Sequence, residues 1–302
     1  MNTTAHPARR LSVALSVAAF VVGLAGLAAP AVAGSNVFLQ ERDIGRMISL
    51  GGSCSRCELS GRNLSGATFT GASFASATLV GANLRGAELI GSNFANSDFT
   101  RADMRGVEVQ GSNFTGATFR NANLSGSEAQ GANFTRADLS SANLSGAELM
   151  GANMNSAVLA DADLSGAELF GTTLANVDAG RANFANAQMN AANMSGGAFN
   201  NASFQNAELD GARLSRASFQ RARFNGASLR RADIRGADLS GARGLTQSQV
   251  SEACGDSATQ LPAGLEVNAC APRAMSIFRT PPAPPAPPAA PSPPRRHFAS
   301  AE

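Results

Sequence analysis

Carboxylates offer the first possible chemistry in this sequence. Glu88, Glu108, Glu128, Glu148 and Glu168 recur every twenty residues, and Gln188 and Glu208 follow at the same interval. A row of acids at fixed spacing could gather divalent cations or a basic partner. The plain alternative is a solvated row, copied along with its repeat and screened by salt. Acid–base catalysis would demand a pocket that shifts a carboxyl's pKa, or a histidine nearby. Both histidines, His6 and His297, lie far from the acidic row, so no Ser–His or Cys–His pair forms within it. The glycines follow a repeat and do not mark a strand-to-helix turn, so no phosphate loop is present. The expectation is a chain without catalytic, cofactor or metal sites.

The elements that carry this row form one array. With unit centres placed at Leu59 and every fifth residue after it, 37 units run to Leu239 without an insertion or deletion. The centres are 17 Leu, 12 Phe, four Met, one Val, one Ile and two Ala (Ala129 and Ala179). Two residues before the centre stands Ala in 27 units, and Ser, Thr, Gly or Val in eight more. A period of five fits neither a helix at 3.6 nor a strand at 2.0. Fixed self-similarity marks a stacked architecture. The unit A-(N/D/S)-(L/F)-x-(G/x) resembles the pentapeptide repeat family, over about 60% of the chain (residues 57–241). The resemblance implies an all-β solenoid, a right-handed quadrilateral β-helix with four units per coil and about nine coils. The large centre and the small residue before it then point inward, and the other positions face water. Gly and Asn at the last position suit the corners.

Four sides require a hidden period of twenty, and the sequence contains it. Besides the Glu row, Asn93, Asn113, Asn133 and Asn153 form a ladder, with Phe74, Phe94, Phe114 and Phe134 stacked inside the same face. Where that stack is fullest the neighbouring face carries Val109 and Ala129, as dense packing demands. At roughly 4.8 Å per coil the rod is about 45 Å long.

The N-terminus reads as a signal peptide over residues 1–33. Arg9 and Arg10 precede an apolar stretch from Leu11 to Ala29, and Ala31-Val32-Ala33 supplies a cleavage site that would leave Gly34 first. A retained membrane anchor is the rival reading, against which the short apolar stretch counts. The expected location is periplasmic or secreted, with membrane contact only through the signal. Four cysteines in an exported chain favour disulfides. The expected pairs are Cys54 with Cys57 and Cys254 with Cys270, one locking each end of the array. Zinc at Cys54-x-x-Cys57 is the alternative, but the other two cysteines lie about 45 Å away and lack ligand spacing.

Caps are needed because terminal coils expose core and backbone. Residues 34–56 are assigned to an N-terminal cap with a short helix over 37–50, and residues 242–272 to a C-terminal cap. Thr246 and Gln249 give that cap a capping-box start for a helix through about Ala253. The stretch 245–265 resembles the segment that follows such arrays in many bacterial members. Residues 273–302 form a tail whose PPAPPAPPAAPSPP run reads as a polyproline II spacer, a tether or a solvated disordered end.

Two surface features complete the picture. Ile90, Met150 and Phe170 are predicted to point outward beside the Glu row, with Met150 and Phe170 adjacent. Charge is polarised: residues 56–178 hold 12 acids and seven arginines, and residues 181–243 hold four acids and nine arginines. Such a rod could associate end to end with its own kind. With net charge +2 the chain has no overall pull toward nucleic acid. The favoured function is a non-catalytic exported scaffold for an unknown protein or envelope component. The alternative is the DNA-mimicking, gyrase-binding role of some pentapeptide-repeat proteins, which are acidic cytosolic rods. An ice-binding helix would need a flat Thr array, and the ladders here are Asn and Glu.

Overall fold

The computed structural model describes residues 52–270. The expected signal peptide, the helix over 37–50 and the proline-rich tail lie outside the described residues. Within them the chain winds as a four-sided coil. Parallel rungs join residues twenty apart from Ser53↔Ser73 to Arg223↔Arg243. Each rung uses two backbone bonds: Leu124 N–H donates to the Asn143 carbonyl at 2.7 Å, and Asn143 N–H donates to the Ala122 carbonyl at 2.9 Å. Corners close by a third bond, as when Ala67 N–H donates to the Leu64 carbonyl at 3.1 Å. Gly66 in that corner has φ +64°, the left-handed value that the third residue of a type II turn requires.

Four walls follow in chain order and are named here by the side chain before each centre. The Asn wall carries Asn93 to Asn153. The Asp wall carries Asp98, Asp138 and Asp178. A mixed wall alternates Asn83, Asp103, Asn123, Asn143 and Asp163, and the Glu wall carries Glu88 to Glu168. The Glu and Asp walls are opposite one another.

Every centre from Leu59 to Leu239 is buried. Phe74, Phe94, Phe114 and Phe134 stack at 4.9, 5.3 and 5.0 Å along the Asn wall, edge-on to a second stack of Phe99 and Phe119 at 4.8 Å. A second aromatic block holds Phe184, Phe204 and Phe224 beside Phe199 and Phe219. Val109 and Ala129, the small centres expected to offset the first block, are both fully buried in the same core. Such a trade occurs within one wall. Ala179 has Val177 as its inward neighbour, while Phe199, one coil on, has Gly197.

Inward serines keep their hydroxyls satisfied by reaching back across a coil. Ser97 Oγ donates to the Phe74 carbonyl at 2.7 Å, Ser112 Oγ to Leu89 at 2.6 Å, and Thr172 Oγ1 to Leu149 at 2.7 Å. Ser127 breaks the pattern: its buried hydroxyl has no partner among the described residues.

The C-terminal end is closed by helix α1 (Gln247–Glu252), which starts with the expected capping box of Thr246 and Gln249. Gln249 also donates from Nε2 to the Phe224 and Ala227 carbonyls at 2.9 and 2.7 Å, and the second of these is a backbone acceptor that a further coil would have used. Val250 is buried over the last coil. After the helix the chain rejoins the ladder at Asp233↔Cys254 and Asp238↔Gln260. Disulfides join Cys54 to Cys57 and Cys254 to Cys270.

Candidate functional site

On three walls most Asn and Asp side chains before the centres have a local task. Asn93, Asn113 and Asn133 each accept the backbone N–H two residues on, at 3.1, 3.1 and 3.0 Å, and Asp98, Asp138 and Asp163 do the same at 2.9, 3.0 and 3.1 Å. This Asx turn explains why Asn and Asp dominate there. Glu88 to Glu168 do not make it. The Glu wall therefore forgoes on every coil a bond that the other walls use.

Five carboxylates elsewhere are paired with arginine. Arg105 pairs with Asp103 at 2.6 Å, Arg120 with Asp138 at 2.5 Å, Arg181 with Asp161 at 2.5 Å, Arg230 with Asp210 at 2.6 Å and Arg235 with Asp233 at 2.6 Å. Hydrogen bonds from these arginines hold the carboxyls of Asp103, Asp161 and Asp233 below their ordinary value. Among the described residues no ion pair reaches Glu88, Glu108, Glu128, Glu148 or Glu168.

The Glu row is not uniform. Gln110 Nε2 donates to Glu128 at 2.7 Å, Gln130 Nε2 to Glu148 at 2.5 Å and Asn190 Nδ2 to Glu208 at 2.9 Å, while Thr68 reaches Glu88 at 3.3 Å. Three of these donors stand eighteen residues before their acceptor, on the coil beneath. For Glu108 and Glu168 that position is Ile90 and Met150, which have nothing to donate. Glu108 and Glu168 have no side-chain partner among the described residues. The sequence reading missed the glutamine clamps, and the eighteen-residue offset is the signal that would have found them.

Phe170 and Met150 are the large apolar side chains left exposed among the described residues, at 58% and 38%, and they occupy consecutive coils. Ile90, expected outside, is half-buried. The Glu wall also has bare edges. Gly66, Gly86, Gly106, Gly126, Gly146 and Gly166 form one corner column, and Gly71, Gly91, Gly111, Gly131, Gly151 and Gly171 the other. A β-carbon added at any of them would meet nothing within 4 Å. The corners flanking the Asp wall adopt the same left-handed φ with Ser76, Asn96, Arg101, Asn121, Arg136, Ser141 and others in place of glycine.

The cysteines offer no metal chemistry in this form. Asp233 lies with the sulfurs of Cys254 and Cys270, their ligand atoms within 4.8 Å of one another. The two sulfurs are bonded to each other and Asp233 is engaged by Arg235. Cys54 and Cys57, where zinc was the alternative, are likewise joined.

The match to known families decides the architecture. Eight copies of the model for pentapeptide repeats match between residues 53 and 243, over six stretches that abut or overlap (53–89, 82–121, 119–155, 142–174, 167–206 and 207–243). The chain belongs to the pentapeptide repeat family. Its fold is the right-handed quadrilateral β-helix of that family. Among solved structures it is similar to HetL, a pentapeptide repeat protein involved in heterocyst differentiation regulation in the cyanobacterium Nostoc. The identity is 30%, covering 63% of this chain and 88% of HetL, with a TM-score of 0.51. Rfr23 from the cyanobacterium Cyanothece is 25% identical, covering 45% of this chain and 89% of its own, at a TM-score of 0.25. QnrB1, a plasmid-mediated fluoroquinolone resistance protein, is 20% identical over 60% of this chain and 90% of its own, at a TM-score of 0.29. No curated protein matches the chain.

Proposed function

We propose that this pentapeptide repeat protein is an exported, non-catalytic scaffold whose walls bind protein. One observation carries the reading. The interior is filled by buried Leu, Phe, Met and Ala, so the outer walls are where the array can meet other molecules, and one wall departs from the rules the others obey. Its acids make neither Asx turns nor ion pairs, and it presents Phe170 and Met150 to solvent. The signal-like sequence over residues 1–33 and the two disulfides support an oxidising compartment outside the cytoplasm.

The gyrase-binding alternative draws less support. A DNA mimic needs a rod that is acidic throughout, and Arg213, Arg216, Arg221, Arg223 and Arg231 give this one a basic C-terminal third. End-to-end association remains compatible with the charge polarity, but at the C-terminal end α1 and its loop, not open coil edges, would make the contact.

Fractionation of producing cells with N-terminal sequencing tests the reading. The expected product starts at Gly34 and leaves the cytoplasm. An uncleaved cytosolic chain that co-purifies with gyrase or DNA would overturn it.

A further inference from the structure

We infer that the Glu wall is the docking face for an extended, cationic protein segment that places two arginines on Glu108 and Glu168 and an apolar side chain against Met150 and Phe170. The inference rests on the scaffold reading and gives it a partner chemistry.

Four features of the wall converge on this occupant. First, flatness: both flanking corners are glycine columns from 66 to 171, although the left-handed corner conformation is held elsewhere by Arg, Asn and Ser. The open space around those glycines means packing does not require them, and they leave the second central residue of every corner turn beside this wall without a side chain. Second, charge: Arg85 and Arg105 stand at one corner, Arg105 turned to Asp103 of the mixed wall, and no other basic side chain stands on this wall or its two corners between residues 66 and 186. A basic partner would meet acids that no arginine of the chain already occupies. Third, free acceptors: Glu128 and Glu148 are held by Gln110 and Gln130, whereas Glu108 and Glu168 are not. Fourth, a greasy contact sits between and beside the free pair, at Met150 and Phe170. Exposed apolar area against unpaired charge is the composition of a binding patch with an anchor and a polar rim.

Geometry sets the spacing. Glu108 and Glu168 are three rungs apart, about 14 Å at roughly 4.8 Å per rung. An extended chain rises about 3.4 Å per residue, so side chains at i and i+4 span about 14 Å on one face. The residue at i+2 shares that face and falls about 7 Å along it, between the Glu128 and Glu148 rungs and within side-chain reach of Met150. The segment therefore reads Arg-Xaa-apolar-Xaa-Arg. A second copy docked wall to wall would set the two Glu rows against each other, which like-charge repulsion disfavours.

The test titrates the purified, disulfide-intact chain with the peptide Arg-Ser-Leu-Ser-Arg and its scramble Arg-Arg-Ser-Leu-Ser, following amide NMR shifts. The expected result is saturable shifts along the Glu wall with the first peptide and weaker ones with the scramble. The double variant Glu108→Gln, Glu168→Gln should lose affinity by about tenfold, the product of two exposed ion pairs each contributing a few-fold. The charge-matched control, Glu128→Gln with Glu148→Gln, should lose less than about twofold, and Phe170→Ser should weaken binding of the first peptide. Equal losses in the two double variants, or equal binding of both peptides, would reduce the wall to diffuse charge attraction and overturn the inference. So would sedimentation equilibrium showing that the free chain dimerises through this wall. The scaffold reading would survive either result, because fractionation tests it separately.

Discussion

Gly197→Ala is the substitution on which sequence statistics and packing disagree most sharply. Ala fills this inward position in 27 of 37 units, and Gly197 is outside the left-handed region. A consensus argument therefore favours Ala, which by narrowing the unfolded ensemble would add roughly 0.4–1 kcal/mol. Packing points the other way. The new β-carbon would stand 2.6 Å from Phe199 Cε2, 3.1 Å from Phe199 Cζ and 3.2 Å from Val177 Cγ2. None of these atoms can retreat freely, since Phe199 is fully buried and stacked on Phe219 at 5.2 Å, with Phe204 edge-on at 5.8 Å. Overpacking of this kind costs roughly 1–3 kcal/mol. The net effect is a loss of about 1 kcal/mol, or a Tm lower by about 2–4 °C for an array of this size. Thermal melting followed by circular dichroism measures it. The background Phe199→Leu supplies the decisive comparison, because a shorter side chain there frees the space and Gly197→Ala should then be neutral or stabilising. A Tm that rises on the native background would refute the packing argument, and so would an unchanged loss beside Leu.

Ser127→Ala should raise stability by about 1 kcal/mol in the same assay, because it removes a buried hydroxyl with no partner among the described residues; Ser112→Ala, which breaks a satisfied bond to the Leu89 carbonyl, should not. Reducing Cys254–Cys270, which closes a sequence separation of 16, should destabilise the C-terminal cap by up to about 3 kcal/mol. Hydrogen exchange should then quicken over residues 244–270 well before the central coils. Acid should weaken the fold through the arginine-held aspartates. Asp103 and Asp233 have carboxyls held below their ordinary 3.8, so their contribution is complete above that value and disappears as pH falls through the lower folded value. Melting between pH 5 and 2 should show a steeper decline in wild type than in Asp103→Asn with Asp233→Asn; equal slopes would remove these pairs from the account.

The architecture was legible because it is periodic at two levels. The five-residue period identifies inward and outward positions, and the twenty-residue period identifies the walls, so Met150, Phe170 and the Glu row could be placed on one face from their numbers alone. The Phe stack along the Asn wall followed from the same arithmetic. Relations between columns were harder to see. That Gln110 holds Glu128 depends on two side chains on neighbouring coils leaning together, an offset of eighteen that neither period suggests. The distinction between tied and free acids is equally hidden, because Asp and Glu read alike in a charge count and differ by one methylene. The longer side chain does not forbid a bond to the backbone two residues on, since Glu58 accepts the Ser60 N–H at 2.9 Å, but Glu88 to Glu168 do not make it. Helix α1 was visible through its capping box, while the return of the chain to the ladder at Cys254 and Gln260 was not. Offsets of 21 and 22 in place of twenty belong to no repeat.

The uniform rung interval also constrains how such a chain can change in length. Inserting one unit of five inside the array would advance every later residue by a quarter turn, so the Glu row would continue up the Asn wall and the bare corners would pass under another face. Inserting four units would leave each column intact and only lengthen the rod by one rung. Growth and loss in this protein are therefore quantised in whole coils wherever its walls have separate roles, and an array of 37 units without a single slip is the form such a constraint would leave.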